Sequence, residues 1–158
     1  MTETIERDEI DSIERSIDID ASAERVWELI SVPGWYINSG TVIEHEIRQE
    51  DGYVVVIDPK HGEFPLRTVR LDPPRYAAFR WFTVPGADAS EEDSTSATLV
   101  EFWITERDGG VTLRVLESGF ASLPIDAEKR RIAVDNNTEG WEIELAAART
   151  FLSDAGTA

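Results

Sequence analysis

The 158-residue sequence predicts an α+β fold, a curved antiparallel sheet of about six to seven strands wrapped around one long C-terminal helix. Three observations carry this reading. Val134, Asn137, Trp141, Leu145, Ala148 and Leu152 recur at spacings of three and four, which places them on one helical face. Alternating apolar and polar runs, punctuated by Asp51-Gly52, Pro73-Pro74 and Asp108-Gly109, read as strands joined by tight turns. The order along the chain is a strand, two short helical segments, more strands and then the long helix, and successive hairpins favour neighbours in sequence order.

The long helix sets the scale. Pro124 sits at its mouth, where a missing N–H costs nothing, and Asp126 and Glu128 fall in the first turn. The 28 residues from Asp126 to Ser153 span about 42 Å. A globule of this length has a radius of gyration of only about 15 Å, so the helix must cross the whole body. Its stripe is apolar except for Asn137, and Gly140 is a weak point before Trp141.

Taken in order, residues 1–11 read as an acidic tail. Ile13 to Ile19 alternates Ile13, Ile17 and Ile19 with Glu14, Ser16 and Asp18, a strand of about seven residues. A turn at Asp20-Ala21-Ser22 leads into a helix with Ser22 as N-cap; Arg25 in place of Glu means that no capping box forms. Val26, Trp27, Leu29 and Ile30 form its buried face, and Pro33-Gly34 ends it. Trp35, Tyr36 and Ile37 make a second short turn or helix before Asn38-Ser39-Gly40 breaks the chain.

Strand-like runs follow at Thr41 to Arg48, Tyr53 to Asp58, Phe64 to Leu71 and Arg75 to Val84. Pro85 to Ser94 carries four acids and no base and reads as an exposed loop. The final hairpin has the sharpest signal. Ala97 to Glu106 and Val111 to Ser118 flank Asp108-Gly109, and a type I′ turn there pairs Ile104 with Leu113, Phe102 with Val115 and Val100 with Glu117 on the apolar face. That face should meet the long helix and therefore carries Glu117 inward. Trp103 and Arg114 pair on the other face and can stack.

A hydrophobic fraction of 41% with five Trp, six Phe and three Tyr is enough for a core or for the walls of a pocket. With no Cys there is no disulfide, thiolate nucleophile or zinc-thiolate site. A net charge of −17 opposes binding of nucleic acid or anionic lipid and leaves a basic surface as the partner that charge would favour. No apolar run approaches the length of a membrane span, and the acidic N-terminus lacks a signal-peptide core, so a cytoplasmic location is expected.

These elements resemble the helix-grip fold of the START-like or Bet v 1-like superfamily, also called SRPBCC. Within it the sequence is similar to the branch named for the activator of the Hsp-90 ATPase. The residues that carry this are Ile17 to Leu29, where an Ile-rich strand runs into Ala-Glu-Arg-Val-Trp; Pro73 to Arg75 before the strand with Trp81; Val111 to Phe120, ending Glu-Ser-Gly-Phe; and Asn137 to Trp141. The resemblance spans about residues 12–153, which are expected to form one domain between the tails 1–11 and 154–158. It implies a cavity between sheet and last helix that holds a small apolar or amphipathic molecule. No cofactor is expected. It also brings in polyketide cyclases or hydrolases of the wider superfamily and the co-chaperones of the branch. A homodimer through an open sheet edge is a further expectation.

Candidate residues follow from polarity on apolar faces. His45 shares a strand face with Ile43 and Ile47 and could act as a general acid or base or as a half-buried structural histidine. His61, in a Lys-His-Gly turn, is expected to be exposed. An inward Glu117 needs a partner, Arg80, Arg67 or Asn137. Asn137 could bond a ligand, backbone or water. Trp27, Phe79, Trp81, Phe102 and Trp141 are core or cavity wall. Two histidines and scattered acids make no metal-ligand spacing, and no phosphate loop or nucleophile elbow is present. Three functional readings stand: a binder of a small hydrophobic molecule, an enzyme using His45 or Glu117, and a protein-interaction module of the co-chaperone kind.

Overall fold

In the computed structural model, which describes residues 11–84, 86–91 and 95–156, seven strands form one antiparallel sheet. They are β1 (Ser12–Ile19), β2 (Glu46–Gln49), β3 (Val54–Asp58), β4 (Gly62–Asp72), β5 (Tyr76–Trp81), β6 (Thr98–Arg107) and β7 (Gly110–Ser118). The order across the sheet is β1-β7-β6-β5-β4-β3-β2, so β2 to β7 are neighbours in sequence order and β1 returns to flank β7. Two α-helices complete the fold, α1 (Ala23–Ile30) and the long α2 (Ala127–Gly156).

The β6–β7 register has the predicted partners: Ile104 opposite Leu113, Phe102 opposite Val115, Val100 opposite Glu117 and Trp103 opposite Arg114. The turn differs from the expected type. No described non-glycine residue has a positive φ, so Asp108 does not, and only Gly109, at φ +83°, takes the left-handed conformation that a type I′ turn demands of both. The Arg114 guanidinium lies 4.3 Å from the Trp103 ring centroid.

Ser22 caps α1 by accepting the Arg25 backbone N–H at 3.1 Å. The second short helix is absent. Trp35, Tyr36 and Ile37 lie in turns, closed by Trp35 N–H to Val32 O and Ile37 N–H to Gly34 O. Gly34, at φ +73°, explains the break: a Cβ there would meet the Val56 side chain at 2.9 Å, so the backbone is pressed onto β3 instead of continuing a helix.

The expected strand at Thr41 to Arg48 also shrinks. Residues 41–45 are irregular, and only Glu46–Gln49 pairs with β3. Ile43 is exposed, so His45 does not share an apolar strand face with it. The acidic loop after β5 is not wholly solvent-facing. Ala89 is buried against Phe82 and Ala97, and its carbonyl accepts from Arg67 Nη1 at 2.8 Å. Pro85, Glu92, Asp93 and Ser94 of that loop, and most of the two tails, fall outside the described residues.

Helix α2 starts at Ala127, with the Asp126 carboxylate accepting the Lys129 N–H at 2.8 Å, an N-cap role instead of a place in the first turn. Its stripe is as predicted: Val134, Trp141, Leu145, Ala148 and Leu152 are buried and Asn137 is partly so. They join Phe79, Val100, Phe102, Leu113 and Val115 from the sheet in one core, with Trp35 and Tyr36 wedged in from the turn after α1.

Candidate functional site

A pocket of about 380 Å³ opens between α2, strands β4 and β5, the β3–β4 turn and the turn after α1. One wall is aromatic. Phe64 on β4 sits 6.2 Å from Trp81 on β5, Trp81 meets Tyr36 edge-on at 4.9 Å, and Tyr36 lies 4.8 Å from Trp141 on α2. Facing them from α2 are Asn137, Gly140 and Glu144, with the buried Asn38 and the exposed His61 completing the lining. A Cβ on Gly140 would meet nothing within 4 Å, so this position leaves open space beside the pocket.

Glu117 lies one layer below. It is wholly buried and has no basic partner among the hydrogen bonds it makes. Thr98 Oγ1 donates to Oε2 at 2.6 Å, Asn137 Nδ2 to both oxygens at 3.1 and 3.2 Å, and Trp141 Nε1 to Oε1 at 2.9 Å. Burial pushes this carboxyl above its ordinary value, while Thr98, Trp141 and Asn137 pull it back. Tyr36 is affected in turn: burial, then the Glu117 charge, holds its phenol well above the usual range.

Glu144 is buried at the pocket edge. Its Oε2 accepts the Gly40 N–H at 3.0 Å, which ties the 38–40 segment to α2. Burial raises its carboxyl, opposed by the Gly40 amide, Asn38 and His61. Glu144 Oε1 has no partner at hydrogen-bonding geometry: the Asn38 amide lies close enough to favour the ionised carboxyl, but its hydrogen bond goes to Trp35 O at 2.7 Å. Tyr36 Oη and Trp81 Nε1, both on pocket-lining residues, are likewise buried without a partner.

The two histidines hold loops. His45 Nε2 lies 2.6 Å from Ile37 O and 2.9 Å from Asp58 Oδ1. Both are acceptors, so Nε2 carries the proton and bridges the 37–45 segment to β3. The Asp58 side chain is only 3% exposed. Burial pushes its carboxyl up, but the His61 amide, the His45 ring and the Lys60 amide outweigh this and hold it below its ordinary value. His61 Nε2 faces Asn38 O at 3.1 Å and Ser39 Oγ at 3.0 Å. The carbonyl can only accept, so this nitrogen is protonated and is not a base toward Ser39.

Of the residues singled out from sequence, Trp81, Asn137 and Trp141 line this pocket. Phe79 and Phe102 are core beneath it, with Phe102 at 5.8 Å from Trp141. Glu117 bonds to two of the lining side chains, and its partner is Asn137, not Arg67 or Arg80. Trp27 is half-buried at the core edge and does not line the pocket. His45 is also outside it, facing a separate groove with Val42, Ile43 and Phe151. Tyr36, Phe64 and Glu144 line the pocket without having stood out in the sequence. The signal for Glu144 was its place on α2, three residues after Trp141 and four before Ala148, beside the stripe. Among the described residues no His, Asp and Glu cluster has a metal-binding arrangement.

The family model described as "Activator of Hsp90 ATPase homolog 1-like protein" matches residues 20–148. The chain belongs to this family. Solved structures agree on the fold of this activator-of-Hsp90-ATPase-like chain. Protein MLL2253 from Mesorhizobium loti is 16% identical with a TM-score of 0.65, over 90% of this chain and 97% of that one. A protein from Arthrobacter aurescens is 14% identical with a TM-score of 0.64, over 93% and 88%. The Aha1 dimer from Colwellia psychrerythraea is 13% identical with a TM-score of 0.62, over 91% and 97%. At such identities the likeness is one of fold. A comparison with curated proteins finds no match. Among the described residues no helix is long and apolar enough to cross a membrane.

Proposed function

We propose that this activator-of-Hsp90-ATPase-like chain binds a small amphipathic molecule in the pocket between α2 and the sheet. The observation that carries this is the set of buried, unpartnered polar atoms on its lining: Tyr36 Oη, Trp81 Nε1 and Glu144 Oε1. Each such group costs about 1–3 kcal/mol while it lacks a partner. Three around one pocket are hard to account for by packing alone and easy to account for by a ligand. A volume of about 380 Å³ falls within the range of small-molecule sites. The three atoms are closed off from water in this conformation, so a ligand that reaches them must displace neighbouring side chains.

The test is native mass spectrometry of freshly expressed protein, then solvent extraction of any released molecule. The expected result is an adduct at near one-to-one stoichiometry, lost in a Trp81→Ala, Tyr36→Ala double variant that still folds. A bare mass, with no thermal shift against neutral, cationic and anionic amphiphiles, overturns the proposal.

A further inference from the structure

The pocket's charge is unusual for a site that takes an apolar ligand, and it points to a ligand class. This inference rests on the pocket being a ligand site. Among the described residues its lining contains one carboxylate, Glu144, and no Lys or Arg; His61 is the one basic side chain among them. A second carboxylate, Glu117, lies behind the aromatic wall, bonded to Trp141 Nε1. Trp141, whose ring packs against Tyr36 and through it Trp81, therefore joins the aromatic wall to this second acid. Ring faces attract a cation within about 6 Å of the centroid, most strongly when water is excluded.

Glu144 supplies the specific contact. The residue is 93% buried, Oε2 is taken by Gly40 N–H, and Oε1 is left without a donor. An N–H from a protonated amine would complete it with a charge-assisted bond. A carboxylate ligand would meet no fixed positive charge on the lining and would add to a net charge of −17. A neutral hydroxyl could satisfy Oε1 but would leave the carboxylate uncompensated.

We propose that the pocket selects a small organic cation, an amine bearing an aromatic or aliphatic body, with the ammonium on Glu144 and the body against the Tyr36, Trp81 and Trp141 rings. The test is calorimetric titration of the intact chain with three matched probes: 2-phenylethylamine, 2-phenylethanol and phenylacetate. The amine should bind at least about tenfold tighter than the alcohol, and the carboxylate weakest. Glu144→Gln keeps an acceptor for Gly40 N–H; with the fold checked by circular dichroism, it should lower amine affinity about tenfold or more and the alcohol's by clearly less. The alcohol or carboxylate binding as tightly as the amine overturns the assignment, as does a Glu144→Gln chain that binds the amine normally. A neutral dye such as Nile red entering the pocket when the amine does not overturns the cation class and leaves the ligand site standing. Failure of every probe, the dye included, overturns both.

Discussion

Replacing Thr98 with valine tests whether a wholly buried carboxylate is sustained by the donors around it. Thr98 is 1% exposed, and its hydroxyl makes the shortest of the four bonds to Glu117, at 2.6 Å. Valine keeps the β-branched shape and the strand preference, so the donor alone is lost. A hydrogen bond to a charged group contributes about 1.5–3 kcal/mol. Full burial and the short distance place this one in the upper half, so the expected loss at neutral pH is about 2–3 kcal/mol. For a chain of this size each kcal/mol moves Tm by roughly 2–4 °C, giving a fall of about 4–12 °C. The pH dependence sharpens the test. Burial already raises the folded-state pKa of Glu117, and Thr98 is the strongest of the groups that lower it. Removing Thr98 raises that pKa further. A carboxyl with a raised folded pKa weakens the fold as pH climbs from its unfolded value through its folded one. The loss should therefore grow from acid to neutral pH, by about 1.4 kcal/mol for each unit of added shift. Urea unfolding across that range is the assay. A loss below about 0.5 kcal/mol, or one that does not change with pH, refutes the reasoning.

Three other perturbations have definite signs. Asp58 has a lowered carboxyl, so its contribution is present above the ordinary carboxylate value and fades as pH falls through the lowered one; Asp58→Asn should cost about 1–3 kcal/mol at neutral pH and flatten acid unfolding, as read by urea melts. Gly140→Ala adds a Cβ that meets nothing within 4 Å, so calorimetry should show stabilisation of about 0.5–1 kcal/mol. The Tyr76 phenol is pushed up to about 12 by burial and by Glu101, whose Oε2 it bonds; Glu101→Gln should bring its alkaline absorbance titration down, and an unmoved midpoint would discount that bond.

The β6–β7 hairpin and α2 were legible because each depends on a short-range period. Alternation fixed which residues of β6 and β7 face inward, Asp108-Gly109 fixed their offset, and together they placed Glu117 under the helix. Thr98 follows from the same register: it lies on the Val100 face, diagonal to Glu117. The segment 41–45 misled because its alternation looks strand-like, whereas the His45 ring is drawn to Ile37 O and Asp58, contacts that no local pattern encodes. Much of the pocket escaped for a related reason. Tyr36 comes from a turn, His61 from a hairpin tip and Glu144 from a helix, and only the packing of three distant segments brings them to one opening.

The pairing of β1 with β7 has a consequence for how the chain is made. Ile13 lies opposite Glu117, so β1, made before the other six strands, has no partner until about a hundred further residues exist. Through that interval Ile13, Ile17 and Ile19 wait on an open edge, while Glu14, Ser16 and Asp18 on the opposite side make the waiting strand a poor template for a stray neighbour. The sheet of this protein should thus assemble in chain order from β2 through β7, with β1 docking last as the clasp that closes it.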